Sequence, residues 1–233
     1  MRPRLIRTFG ALCIGVAVLC SSACGAGSDG ASVAATWFAQ EGDEVQGIVV
    51  MTAGPDDAGR LIRTHVTYRD QNGETIATAE WLGSVSWADQ QLAVPVHAPV
   101  DGTPGGQVAS MSADVEVSDE QYDTPLPRIA PATAHSITPD RGTAASGSPA
   151  PEPGPDGVQH FTASFLLHRL PDETQTGVPR LDLGIACYDA SGNLIGGTTV
   201  QRTMPPDGGL LAVDAAVPAH GAPDSCRAFP SAR

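Results

Sequence analysis

The clearest pattern along this chain is alternation. Ile62, Thr64, Val66 and Tyr68 alternate with Arg63, His65, Thr67 and Arg69. A strand with that period turns one face to a core and the other to water. Asp70-Gln71-Asn72-Gly73 follows, and Asn-Gly after such a run marks a hairpin turn. The next strand is predicted over Glu74–Trp81. Leu92, Val94 and Val96 predict another, Val108–Val117 a later one and Val45–Thr52 an early one. No stretch carries a long apolar stripe at the helical period.

The plan recurs 119 residues later. Ile62, Thr64, Val66 and Tyr68 fall on Leu181, Leu183, Ile185 and Cys187; Asp70, Gly73 and Ile76 fall on Asp189, Gly192 and Ile195. Leu92-Ala93-Val94 falls on Leu211-Ala212-Val213, and Pro99 on Pro218. Over Ile62–Pro99 seven of 38 positions are identical without a gap, and strand phase, turn and closing Pro agree as well. An internal duplication of a β module accounts for this.

Val66-Thr-Tyr68-Arg-Asp70-Gln-Asn-Gly73-Glu-Thr-Ile76 and Ile185-Ala-Cys187-Tyr188-Asp189-Ala-Ser-Gly192-Asn-Leu-Ile195 resemble the strand-turn-strand of FxLYD-type domains. That resemblance implies small Ig-like β-sandwiches of a bacterial envelope protein. It brings no catalytic residues with it. Short alternating strands with regular turns point to sandwiches independently. The fold expected is all-β: two small Ig-like antiparallel β-sandwich domains joined by a Pro-rich linker.

Composition shifts place the boundaries. Met1–Arg7 holds three Arg and no acid, Phe9–Leu19 is apolar, and Ser21-Ser22-Ala23 are small. That order is a signal peptide, 1–23, too short to span the bilayer as a helix. Residues 24–35 read as a flexible Gly/Ser/Ala tether. Residues 36–122 form the first domain. Residues 123–157, with eight Pro among 35, read as a linker, and 158–230 form the second domain.

Ala23-Cys24-Gly25 resembles the lipobox of bacterial lipoproteins, in which a small residue precedes a Cys that takes a diacylglyceryl thioether. The resemblance implies Cys24 as a lipid anchor. Ser21 stands where that family favours Leu, and cleavage after Ala26 is the rival reading. Cys13 and Cys20 leave with the signal, so Cys187 and Cys226 remain as one pair. An oxidising exterior permits a disulfide between them; two buried free thiols are the alternative. A bridge would close a loop of 39 residues, for which chain entropy gives roughly 4 kcal/mol. Pinning a final strand in this way is expected to protect the second domain alone. The offset positions in the first half are Tyr68 and Gln107.

Charge limits the partners. The full chain carries 13 basic and 26 acidic residues, a net charge of −13. Losing Arg2, Arg4 and Arg7 with the signal leaves ten Arg against 26 acids, or −16. Such a surface repels phosphate backbones, so no nucleic-acid partner is expected. It also has no polybasic grip on anionic lipid, so membrane attachment would have to be covalent.

Candidate chemistry is sparse. There is no Gly-x-Ser-x-Gly elbow and no Gly-rich phosphate loop. His160 and His168 would lie roughly 26 Å apart on one extended strand, too far for one metal. His65 falls on the polar face of its strand. Asp70-Gln-Asn72-Gly-Glu74 and Gly54-Pro-Asp56-Asp57-Ala-Gly59 are rich in oxygen, but lack calcium-loop spacing and read as turns. Trp81 and Trp87 flank a short Gly83-Ser84 turn; they either fill a core or form a binding patch. The expectation is therefore no catalytic residue, no metal and no cofactor. It is a non-enzymatic, lipid-anchored envelope protein that presents two β modules as binding or spacer elements to an unknown envelope protein or ligand. The alternative is a freely secreted ligand- or protein-binding module.

Overall fold

A computed structural model describes residues 30–100, 106–121, 129–140, 157–169, 180–203 and 208–232. Thirteen strands run through the described residues: β1 (Ser32–Glu41), β2 (Glu44–Thr52), β3 (Arg60–Arg69), β4 (Thr75–Ser84), β5 (Gln91–Pro99), β6 (Ser110–Gln121), β7 (Ala132–Thr133), β8 (Ser136–Pro139), β9 (Gln159–His168), β10 (Arg180–Tyr188), β11 (Leu194–Thr203), β12 (Leu210–Ala219) and β13 (Ser225–Ala232). Every pairing is antiparallel.

In the first half, the sheets β1-β2-β5 and β4-β3-β6 face each other. Val45, Val49, Met51, Ile62, Val66, Tyr68, Leu92, Val94 and Val96 fill the space between them. In the second half one sheet runs β7-β13-β10-β11-β12-β9-β8. It folds over where β11 and β12 share the single pair Gly196↔Ala219, and so encloses its own core of Phe165, Leu167, Leu181, Leu183, Ile185, Val213 and Val217. The period-2 pattern decides which side chains enter. Ile62, Thr64, Val66 and Tyr68 are all buried, as are Leu181, Leu183, Ile185 and Cys187.

The two halves share one topology. β3 pairs β4 and β10 pairs β11 in registers that superpose at the 119-residue offset, including a bulge after Tyr68 and after Cys187. β5 pairs β2 as β12 pairs β9, so Val49 and Phe165 both lie opposite the repeated Val of Leu-Ala-Val. β1 corresponds to β8, and β6 to β13. The hairpin turns match in their backbone hydrogen bonds. Asp70 Oδ1 accepts from the N–H of Asn72 and Glu74, each at 2.9 Å; Asp189 Oδ1 accepts from Ser191 and Asn193, also at 2.9 Å. Gly73 and Gly192 both take φ +82°, which L side chains rarely adopt.

Three boundaries differ from expectation. The segment 123–157 is not linker throughout. Within it, Ile129 is buried in the second core and bridges Arg169, β7 pairs β13, and β8 pairs β9. The segment laces the two sides of the second sandwich together. Its Pro content hid this, since Pro131 and Pro139 sit just outside or at the end of the short strands they bound. The tether expected over 24–35 is shortened at its far end, because β1 begins at Ser32. The residue matching Cys226 is Met111, which pairs with Tyr68 as Cys226 pairs with Cys187; Gln107 lies before β6. A shorter β12–β13 connection changes the offset there.

The same cross-strand position is therefore filled in two ways. The second half has the Cys187–Cys226 disulfide, with Ala163 beneath it in the same core. The first half has Tyr68 and Met111, with Gly47 at the place of Ala163. A Cβ on Gly47 would lie 2.8 Å from the Trp37 carbonyl oxygen and 3.0 Å from both Tyr68 Oη and Met111 Sδ. Gly47 thus makes room for the ring that replaces a disulfide, and burial pushes the Tyr68 hydroxyl pKa well up. Gly47→Ala is expected to cost about 1–3 kcal/mol by overpacking. Urea unfolding checks this through a lower midpoint at unchanged slope.

The turn carboxylates generate a pH prediction. The N–H of Glu74, foremost, holds the Asp70 carboxyl below its ordinary range; for Asp189 the side-chain amide of Asn193 leads. Because both values are depressed in the fold, their stabilisation is present above the unfolded value near ~3.9 and is lost as pH falls through the folded values. In Asp70→Asn/Asp189→Asn the thermal midpoint should therefore fall less steeply below about pH 4 than in the native protein, as read by calorimetry.

Candidate functional site

The outward side chains of β4-β3-β6 form a charged face. Arg63 Nε lies 3.2 Å from Glu80 Oε1; His65 Nδ1 lies 3.7 Å from Glu80 Oε2 and His65 Nε2 lies 3.9 Å from Glu116 Oε2. His65 is thus on the polar face its sequence phase predicts, about half exposed between two carboxylates. These contacts are solvated and lie on an exposed face. Among the described residues no group of three His, Cys, Asp or Glu side chains is placed to hold a metal ion. Asp57, in the first oxygen-rich loop, accepts from the Gly54 N–H at 2.6 Å and closes a turn. Asp70, in the other, is occupied by its own hairpin.

The other residues singled out from the sequence lie in different places. Cys24 lies outside the described residues. Cys187 and Cys226 are bonded across β10 and β13 and fully buried. Trp81 points inward from β4, packs against the first core and lies across Gly83, where a Cβ would fall on its indole. Trp87 sits half-buried in the turn before β5, while Leu82 between them is 49 % exposed. Trp81 is partly buried against the first core, and Trp87 is partly buried in the turn that follows β4.

The apolar surface of greatest extent outside the two cores lies between the halves. The outward face of β1-β2-β5 (Trp37, Ala39, Ile48, Val50, Ala93) packs on Ala186 of β10 and Phe229 of β13. Backbone approach is close here. A Cβ on Gly184 would fall on the Ala93 carbonyl, and one on Gly197 would lie 2.6 Å from Ile48 Cγ1. At one margin Gln90, fully buried, accepts the Ser86 N–H at 2.6 Å and donates to the Pro230 carbonyl at 3.1 Å. At another, His220 Nε2 is 3.2 Å from the Phe38 carbonyl oxygen and its ring is 5.7 Å from that of Trp37. The four sheet layers are stacked, with the two halves joined through their faces.

Matching positions of the two halves differ in chemistry where the joint forms. At the positions where β4-β3-β6 carries His65, Thr67, Thr78 and Asp114, the matching face carries Gly184, Ala186, Gly197 and Phe229. One half carries a charged, solvated face; the other carries only glycine and alanine at these positions of β10 and β11, and one ring on β13. The outer face of β8-β9-β12 carries Leu166 and Leu210, exposed by 54 % and 63 %. None of the joint residues, nor these two leucines, stood out in the sequence. The one available signal was the Gly/Ala alternation in β10 opposite its apolar positions, which marks a strand buried on both faces. Gly184→Val is expected to pry the joint apart, at about 1–3 kcal/mol, and to split thermal unfolding into two calorimetric transitions.

Comparisons with known proteins assign no family: no family model matches the chain, and no curated protein does. Among solved structures, two glycosyl hydrolase family 2 members from Bacteroides cellulosilyticus are similar at 10 % and 9 % identity. Their TM-scores are 0.23 and 0.21, over 76 % and 77 % of this chain. The matched part is 22 % and 24 % of those chains, so this chain spans less than a quarter of either, and at that TM-score the likeness carries no argument.

Proposed function

We propose that the chain is a non-enzymatic envelope lipoprotein, anchored through Cys24, whose two sandwiches act as one stiff binding or spacer element. The observation that carries this reading is the joint. A spacer needs modules that do not swing, and an apolar, glycine-backed contact between sheet faces supports that. The basic start, apolar stretch and Ala23-Cys24-Gly25 junction support export and lipidation. The buried disulfide suits an oxidising compartment. Acyl chains on Cys24 would supply roughly 0.8 kcal/mol per buried methylene, an attachment that a mature charge of −16 could not supply through basic contacts. The partner-facing surfaces in this reading are the charged face of β4-β3-β6 and the leucine-bearing face of β8-β9-β12.

A freely secreted binding module is the second reading, favoured by Ser21 at the position where a lipobox prefers Leu. Mass spectrometry of the mature N-terminus from native cells separates the two. The lipoprotein reading expects Cys24 first, carrying a diacylglyceryl thioether, and Cys24→Ser should move the protein from the membrane to the soluble fraction. An unmodified N-terminus at Gly27 would overturn it.

A further inference from the structure

The geometry points to the Cys187–Cys226 disulfide as a covalent latch on the joint between the sandwiches, and not only as a staple within the second. The bond ties β13 to β10. That pair is already an eight-residue ladder, and on its other edge β13 meets β7 at Arg227 and Ala228 and accepts the Ala134 N–H on the Cys226 carbonyl at 2.8 Å. Yet β13 carries two of the joint's contacts: the Phe229 ring, buried among Trp37, Ile48 and Ala93, and the Pro230 carbonyl that receives Gln90. On the other side of the bond, Ala186 and Tyr188, either side of Cys187, face the first sandwich. The disulfide thus sits one layer beneath the joint, with its neighbours in sequence forming the joint's floor. β6, which corresponds to β13 and bears no such contacts, has no disulfide and uses Tyr68 and Met111 instead. A covalent bond stands where a strand must hold a second module.

Opening the latch takes a dithiol reductant. One thiolate of the reagent attacks a cysteine sulfur, the S–S bond breaks, and its electron pair leaves on the other cysteine. The reagent's second thiolate then displaces the first cysteine and closes the reagent into its own disulfide. Two electrons pass to the protein and two protons convert the cysteine thiolates to thiols. Both sulfurs are buried in the second core, beneath β13 and β10, so attack follows opening of β13.

Trp37 reports the joint directly, because it is buried there and the protein has only two other tryptophans. In a mature Trp81→Phe/Trp87→Phe protein, acrylamide should quench Trp37 weakly while the disulfide is intact. After dithiol treatment, with two thiols titrated, or in Cys187→Ala/Cys226→Ala, quenching should rise several-fold and emission should shift to the red. The far-UV strand signal should stay unchanged. Trp37 remaining shielded with both thiols free overturns the latch. So does loss of the strand signal, which would make the bond a staple of the second sandwich alone. Calorimetry in the native tryptophan background gives a second reading. One transition should become two when the cysteines are replaced, and a single transition retained counts against the latch.

Discussion

The packing of the Gly184 backbone against the Ala93 carbonyl is the contact on which the rest of the arrangement depends. Two sheets normally stand about 10 Å apart with side chains between them. Here one face carries glycine on β10 and β11, so that Ile48, Trp37 and Ala93 of the other settle into the space, with Phe229, Ala186 and Tyr188 packed against them. Apolar area leaves water over the whole face at roughly 25 cal/mol per Å², and the backbone polar groups beneath stay paired in their ladders. Glycine weakens a strand's own propensity, but β10 is held on both sides by β11 and β13, which offsets that cost.

The duplication shows what a β-sandwich must keep and what it can exchange. The hairpin turn is kept in detail, from the Asp carboxylate that binds two backbone N–H groups to the glycine at positive φ. The inward row is kept in size and polarity at Ile62 and Val66, opposite Leu181 and Ile185 in the other copy; Thr64 departs from it in polarity, its hydroxyl lying 4.0 Å from Met51 Sδ, and Tyr68 in size. The outward row is free to diverge, because water accepts almost any polar side chain. One copy has His65 and Asp114 there, and the other Gly184 and Phe229. The cross-strand position is intermediate. Tyr68 with Met111 and Gly47 occupies the same volume problem as Cys187 with Cys226 and Ala163, one by packing and the other by a bond.

Much of each sandwich was legible because strands of period 2 between turn residues declare themselves locally. Ile62–Tyr68, the Asp70–Gly73 turn and Leu92–Val96 needed nothing but their own neighbours. The disulfide was legible by counting, since only two cysteines remain beyond the N-terminal region. β7 and β8 were not legible. Two- and four-residue strands in a Pro-rich segment carry no periodicity to detect, and Ile129 and Ile137 look isolated until the sheets they lie on are present. Trp81 carried an ambiguity that local sequence could not remove, because a tryptophan at a strand end suits a core or a surface equally well.

The chain by itself determined the all-β class, the twofold plan, the turn chemistry, the candidate pairing of Cys187 with Cys226 and the strongly acidic composition. Each of these rests on composition or on residues close together in sequence. Tertiary structure alone decided that the two sandwiches meet face to face, that Trp37 and Phe229 belong to one cluster, and that Gly184 and Gly197 are contacts rather than weak points in a strand. The reason is physical. A hydrophobic face reads the same whether it covers a core or a neighbouring sheet, and a glycine has no side chain to announce what approaches it.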